Sequence, residues 1–269
     1  MRSILLHIHD DPCLDARIQV ALDLARACNG HVICLQAVPY EYGIPGDIYG
    51  PMATQLYPAF RENAAKLRET IEARLANEDV TWDWISQGGM AQNRLLLHAG
   101  LSDIIIMGAC AENKGRTTYS ALAAEIAISA QTPVFLIPEH CSSLDITAPV
   151  AIAWNGSPEA SRALRAAVPL MQHASTVYLL TVTGDQPEFD LPAIEGASYL
   201  ARHGIEAEMV ELPQSPDGIR SALINGAKAR NAGWVVMGAY GRTRLRERIL
   251  GGVSRSMMTQ PALPIFLAH

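Results

Sequence analysis

The run WVVMGA at residues 234–239 repeats IIIMGA at residues 104–109, 130 positions earlier. In each, a continuous apolar stretch ends in Gly-Ala, which reads as a strand buried on both faces and closed by a residue that tolerates a turn. Working outward, TPVFLIPEH (132–140) returns as LPIFLAH (263–269), 131 positions on. ILLHIHDDP (4–12) returns as VAIAWNGSP (150–158), 146 positions on. The offset shrinks because the first copy carries additional residues near PYEYGIPGDIYGPM (39–52). The chain is one unit written twice. The expected domains are 1–140 and 147–269, joined near EHCSSLDITAP (139–149), each of ordinary domain size.

Within the second copy, VAIAW, VYLLTV, IEAEMVEL, WVVMGA and PIFLA read as strands. PEASRALRAAVPLM, LPAIEGASYLARHG and PDGIRSALINGAKAR read as helices between them, and GGVSRSMMT begins a fourth. Ser157 is placed to cap the first of these helices, with Pro158 at its first position. Apolar strands alternating with amphipathic helices imply a parallel sheet covered on both faces. The expected fold class is α/β, two tandem doubly wound domains, each with a five-stranded parallel sheet.

Composition narrows the function classes. Apolar residues are 49 % of the chain and charged residues 18 %, enough for a packed core. The net charge of −6 argues against a general nucleic-acid binder. MRSILLHIHDDP is interrupted by His7 and His9, too short for a signal peptide, and no stretch has the apolar length of a membrane span. The expected location is cytoplasmic. Cys13, Cys28, Cys34, Cys110 and Cys141 form no CxxC pair and read as reduced, mostly buried thiols.

In an open parallel sheet, ligands bind beyond the strand C-termini, where the winding reverses. Gly238 and Gly241 follow such a strand, and would let backbone approach a ligand or turn with positive φ. Gly251 and Gly252 stand where the next helix begins. Free amides at Gly252, Val253 and Ser254, together with the helix dipole, favour an anion, and a phosphate chain is the natural guest. The bland alternative is a tight loop and an ordinary cap.

Gly238-Ala-Tyr-Gly241, nine residues from Arg242 to Leu250, then Gly251-Gly252-Val253-Ser254, resembles the G-x2-G-x9-G-[ST] pattern of the universal stress protein family. The resemblance extends over both copies. It implies a Rossmann-like, adenine-nucleotide-alpha-hydrolase-like fold, and ATP or ADP as ligand with Mg²⁺ only as the nucleotide's companion. Carried over by position, the nucleotide-binding residues are Asn155, Val182, Met237, Gly238, Gly241, Gly251, Gly252, Val253 and Ser254. Asn155 stands where the family has Asp, and Gly252 where it has Ser or Thr. In the first copy, an offset of 130 sets Ala111, Ala121, Leu122 and Ala124 against Gly241, Gly251, Gly252 and Ser254. The first copy is expected to be degenerate, and nucleotide to bind the second alone.

Arg242, Arg244, Arg246, Arg248 and Arg255 cluster around the glycines, with Arg242 the best phosphate contact. His7, His9, Asp10 and Asp11 could suggest zinc. The favoured reading puts His7 in a strand and an Asp capping the next helix, with no metal bound. Trp82, Trp84, Trp154 and Trp234 read as core or interface residues, and the Tyr-rich segment 39–57 as a lid or interaction loop. No catalytic set stands out. The expectation is a stress-response protein acting by binding or as a switch. A slow ATPase and an interaction module with a vestigial site are the alternatives. PVFLI (133–137) and PIFLA (264–268), short uncharged edge strands, are expected to join the copies as a pseudo-dimer, with a further homodimer open.

Overall fold

The computed structural model describes residues 1–38, 50–113, 116–184, 191–239, 252–259 and 261–269. The first half runs β1 (Ser3–Ile8), α1 (Leu14–Cys28), β2 (His31–Val38), α2 (Gly50–Leu75), β3 (Thr81–Gly88), α3 (Ala91–Ala99) and β4 (Ile104–Gly108). A short hairpin, β5 (Cys110–Asn113) and β6 (Arg116–Tyr119), then precedes α4 (Ala121–Ser129) and β7 (Val134–Ile137). The second half runs β8 (Val150–Ala153), α5 (Pro158–Met171), β9 (Val177–Val182), α6 (Ala193–Ala201) and β10 (Ala207–Leu212). It ends with α7 (Ile219–Lys228), β11 (Trp234–Gly238), α8 (Gly252–Thr259) and β12 (Ile265–Ala268).

Each half is a doubly wound α/β unit, and the two share one sheet. The strand order is β10-β9-β8-β11-β12-β7-β4-β1-β2-β3. Read from either edge inward, the same five-strand order appears. In this sheet all neighbours within a half are parallel. At the junction β12 and β7 pair antiparallel, with Ile265 opposite Leu136, Phe266 opposite Phe135 and Leu267 opposite Val134. The two five-stranded sheets are therefore continuous, joined through the edge strands expected to meet. The reason is local: both strands are short, apolar and uncharged, so pairing satisfies two rows of backbone groups that would otherwise be exposed.

The inner strands are buried on both faces, as their unbroken apolar runs require. On one face Phe135, Trp234 and Phe266 meet edge-on across the junction, with ring centroids 5.7 to 6.3 Å apart. Trp154 is buried as well, while Trp82 and Trp84 sit half-buried on the edge strand β3. Ser157 caps α5, its Oγ accepting from Ala160 N at 3.1 Å, with Pro158 in the first turn.

Two expectations need correction. The cysteines are not all thiols: Cys13 and Cys110 are joined in a disulfide across 97 positions, while Cys28, Cys34 and Cys141 are free. The helix after β4 also starts at Ala121, where α8 starts at Gly252. The offset thus changes from 130 at β4 and β11 to 131 from the following helix onward, since the connection between strand and helix is one residue longer in the second half. Ala121 stands opposite Gly252, and Ala123 opposite Ser254.

Candidate functional site

The second half reverses its winding between β8 and β11, and the candidate site lies at the C-terminal edge of these strands. Ala153 pairs with Leu180 on one side and Met237 on the other. Two residues further on, Asn155, Val182 and Ala239 therefore arrive at one level. The Asn155 carbonyl accepts from Ser157 N at 3.2 Å and holds a turn through Gly156, at φ +78°. Its oxygen serves that turn, so the amino group is the end suited to a guest. Val182 and Met237 are buried and form an apolar floor. Trp154 Nε1 donates to Leu191 O at 3.1 Å, and Leu191 N donates to Gly156 O at 3.1 Å. These bonds fasten the approach to α6 beside the β8–α5 turn.

Gly238 has a reason other than the one expected. A Cβ there would stand 2.6 Å from Ala160 N and 2.6 Å from the carbonyl carbon of Glu159. The first turn of α5 already fills the space, so the residue is a packing glycine, and it is not among the positive-φ positions. Gly252 behaves differently: a Cβ on it would meet nothing within 4 Å. It opens α8 on the surface, followed by half-buried Val253 and buried Ser254. From Gly252 a hollow of about 390 Å³ runs along α8, lined by Arg220, Gly252, Arg255, Ser256 and Thr259. Two guanidiniums and a helix N-terminus, with no carboxylate among the described lining residues, suit an anion. Gly241, Arg242 and Gly251 lie outside the described residues, as do Arg244, Arg246 and Arg248.

The same edge of the first half is filled by its own side chains. Arg17 is fully buried and reaches back over the end of β1. Its Nε donates to His7 O at 2.7 Å, its Nη1 to Asp11 Oδ1 at 2.6 Å, and its Nη2 to His9 O. Burial pulls its pKa down and Asp11 opposes this; a guanidinium keeps its charge nonetheless. The matching residue 146 positions on is Ala163. Asp11 also accepts from Cys13 N at 2.9 Å, so it holds the turn before α1 instead of capping the helix as expected; the N-cap is Cys13, with no side-chain cap bond. At the next helix, Ser120 Oγ accepts from Ala123 N at 3.2 Å and takes an amide that an anion would need. Arg17, Ser120 and Arg220 were not singled out as sequence features. Aligning the two copies position by position exposes Arg17 against Ala163, but only packing shows that the long side chain turns inward. His7 is buried in β1, and His9 is exposed, their rings stacked at 5.9 Å. Among the described residues, no group of three or more His, Cys, Asp or Glu could hold a metal ion, and no helix is long and apolar enough to cross a membrane.

The architecture defines a tandem, doubly wound α/β protein with a candidate anion site at the strand C-termini of one half. No protein-family model matches the chain, and no curated protein matches its sequence. Among solved structures it is similar to a universal stress protein from Archaeoglobus fulgidus DSM 4304, with a TM-score of 0.75 at 17 % identity, over 98 % of this chain and 97 % of that one. It is also similar to a protein of unknown function from Pseudomonas aeruginosa PAO1, with a TM-score of 0.59 at 16 % identity, over 100 % of this chain and 92 % of that one. The chain thus has the universal stress protein fold in tandem arrangement.

Proposed function

We propose that this protein binds one adenine nucleotide, ATP or ADP, in its second half and acts in stress response by that binding, as a ligand-dependent switch. The observation that carries the reading is the contrast between two equivalent edges. In the first half, Arg17 and Ser120 occupy the cleft and the helix amide. In the second half Ala163 stands in place of Arg17, and a surface hollow at Gly252 is lined by Arg220 and Arg255. Phosphates would lie at Gly252, Val253 and Ser254, with the base or ribose toward Asn155, Val182 and Met237. The α5 turn packs on Gly238, so its contribution is to bring α5 close beneath the site. Gly241, Arg242 and Gly251 complete the set proposed from the motif, with Mg²⁺ accompanying the nucleotide. Residues 1–140 and 147–269 are the two domains of this reading, paired as a pseudo-dimer through β7 and β12.

The test is calorimetry with ATP and with ADP on the whole chain and on Gly252→Val. A Cβ at this position meets nothing within 4 Å, and the side chain stands where a phosphate would approach; circular dichroism checks that the variant folds. Binding at one site per chain, weakened at least tenfold by the substitution, about 1.4 kcal/mol, is the expected result. Two sites per chain, or an unchanged Kd in the valine variant, would count against it.

A further inference from the structure

We propose that Cys13 and Cys110 are a reversible dithiol/disulfide couple, oxidised by hydroperoxides, which fastens the β5–β6 hairpin to α1 and thereby steadies α8 in the other half. The pair is selected from five cysteines by position. Cys34 is buried in β2, its thiol pushed up to about 12, and burial also raises Cys141. Such thiols supply little thiolate. Cys13 instead stands at the N-cap of the 15-residue α1, where the helix dipole favours a negative sulfur. Arg17 lies against the same glycine: a Cβ on Gly108 would be 2.7 Å from Cys13 Cβ and 2.8 Å from Arg17 Nη1. Asp11, the nearby acid, is already paired with Arg17 at 2.6 Å. Cys13 is wholly buried, whereas Cys110 is half-exposed. The two Cα atoms are 6.4 Å apart.

Cys110, the more accessible of the two residues, meets the oxidant first. The Cys110 thiolate attacks the peroxide O–O bond, becoming a sulfenic acid while hydroxide or alkoxide leaves. The Cys13 thiolate then attacks the Cys110 sulfur, the S–S bond forms, and the sulfenic oxygen departs as water with a proton from solvent. Two thiols lose two electrons and one peroxide gains them. A dithiol reductant reverses the bond by exchange, itself becoming a disulfide.

Topology gives the bond its consequence. The hairpin is a separate two-stranded sheet, not part of the ten-stranded one. Two strands alone are marginal. Its base is closed by Ser120 N donating to Ala109 O at 3.1 Å, and its stem is covalently tied to α1 only through Cys110. β6 also lies next to α8. Reduction leaves the large sheet intact and frees the hairpin from α1, so the effect falls on the hairpin and on α8. That this alters nucleotide affinity rests on the reading of α8 given above; the bond and its effect on the hairpin do not.

The experiment uses the full chain, reduced with dithiothreitol, freed of reductant, and then treated with one equivalent of hydrogen peroxide. Alkylation with mass spectrometry should count five reactive thiols under denaturing conditions before oxidation and three after, with a peptide linking residues 13 and 110. Hydrogen exchange should be at least fivefold faster in residues 110–120 and 252–259 of the reduced protein, with the rest of the sheet unchanged. Cys110→Ser should match the reduced protein before and after peroxide, and Cys28→Ser should match wild type in both states. Peroxide that leaves Cys13 and Cys110 as thiols overturns the couple. Equal exchange at 252–259 in the two states of the wild-type chain overturns the link to α8. ATP titrated into both states separates the readings: no binding in either refutes the nucleotide site, while the thiol and exchange results stand on their own.

Discussion

Replacing Gly238 with alanine tests whether this glycine serves packing, and the structure sets the size of the effect. The new Cβ would lie 2.6 Å from Ala160 N, 2.6 Å from Glu159 C and 2.9 Å from Glu159 Cβ. Two of these are backbone atoms of the first turn of α5, so no flexible side chain can swing aside. The helix start must shift away from β11, and that shift strains the 3.1 Å cap between Ser157 Oγ and Ala160 N. Overpacking of this kind costs about 1–3 kcal/mol, and a weakened cap adds about 1 kcal/mol. The expected loss is about 2–4 kcal/mol in all. Gly252→Ala is the control: its Cβ meets nothing, and the stability should stay within about 0.5 kcal/mol of wild type. Urea unfolding followed by circular dichroism and by tryptophan fluorescence reads both. A Gly238→Ala protein within about 0.5 kcal/mol of wild type would refute the packing account and return this position to a purely ligand-facing part.

Burial, followed by the Arg17 and His9 charges, holds the His7 pKa well below its ordinary 6.5. The unfolded imidazole takes up a proton below about pH 6.5 while the folded one stays neutral, so this stability is complete above that pH and is lost as pH falls: about 1.4 kcal/mol between pH 7.5 and 5.5. Urea midpoints of wild type minus His7→Gln at the two pH values should show that difference; parallel curves would contradict it. Arg17→Ala leaves Asp11 and two carbonyls without their donor, and should cost about 3–5 kcal/mol in chemical denaturation. Phe266→Ala, which empties the centre of the junction cluster, should lower stability by a similar 3–5 kcal/mol, and a cost under about 1 kcal/mol would mean the two halves do not depend on this contact.

The sequence by itself determined the features set by local chemistry and by repetition. Alternating apolar runs and amphipathic stretches specified strands and helices, because each must bury one face or both within a few residues. Ser157 and Pro158 marked a helix start for the same reason: the cap reaches only three residues ahead. The doubling of WVVMGA and IIIMGA carried the two-fold plan, and the uncharged edges of PVFLI and PIFLA pointed to their pairing. What tertiary structure decided were contacts between distant positions whose chemistry has no sequence period. Cys13 and Cys110 are 97 positions apart and meet because β4 ends beside the start of α1. Arg17 reads as the charged face of a helix, yet it folds back onto the carbonyls of His7 and His9 and closes one cleft. Gly238 and Gly252 look alike in the motif. One is pressed against a helix and the other faces open space, a difference made only by where the chain returns.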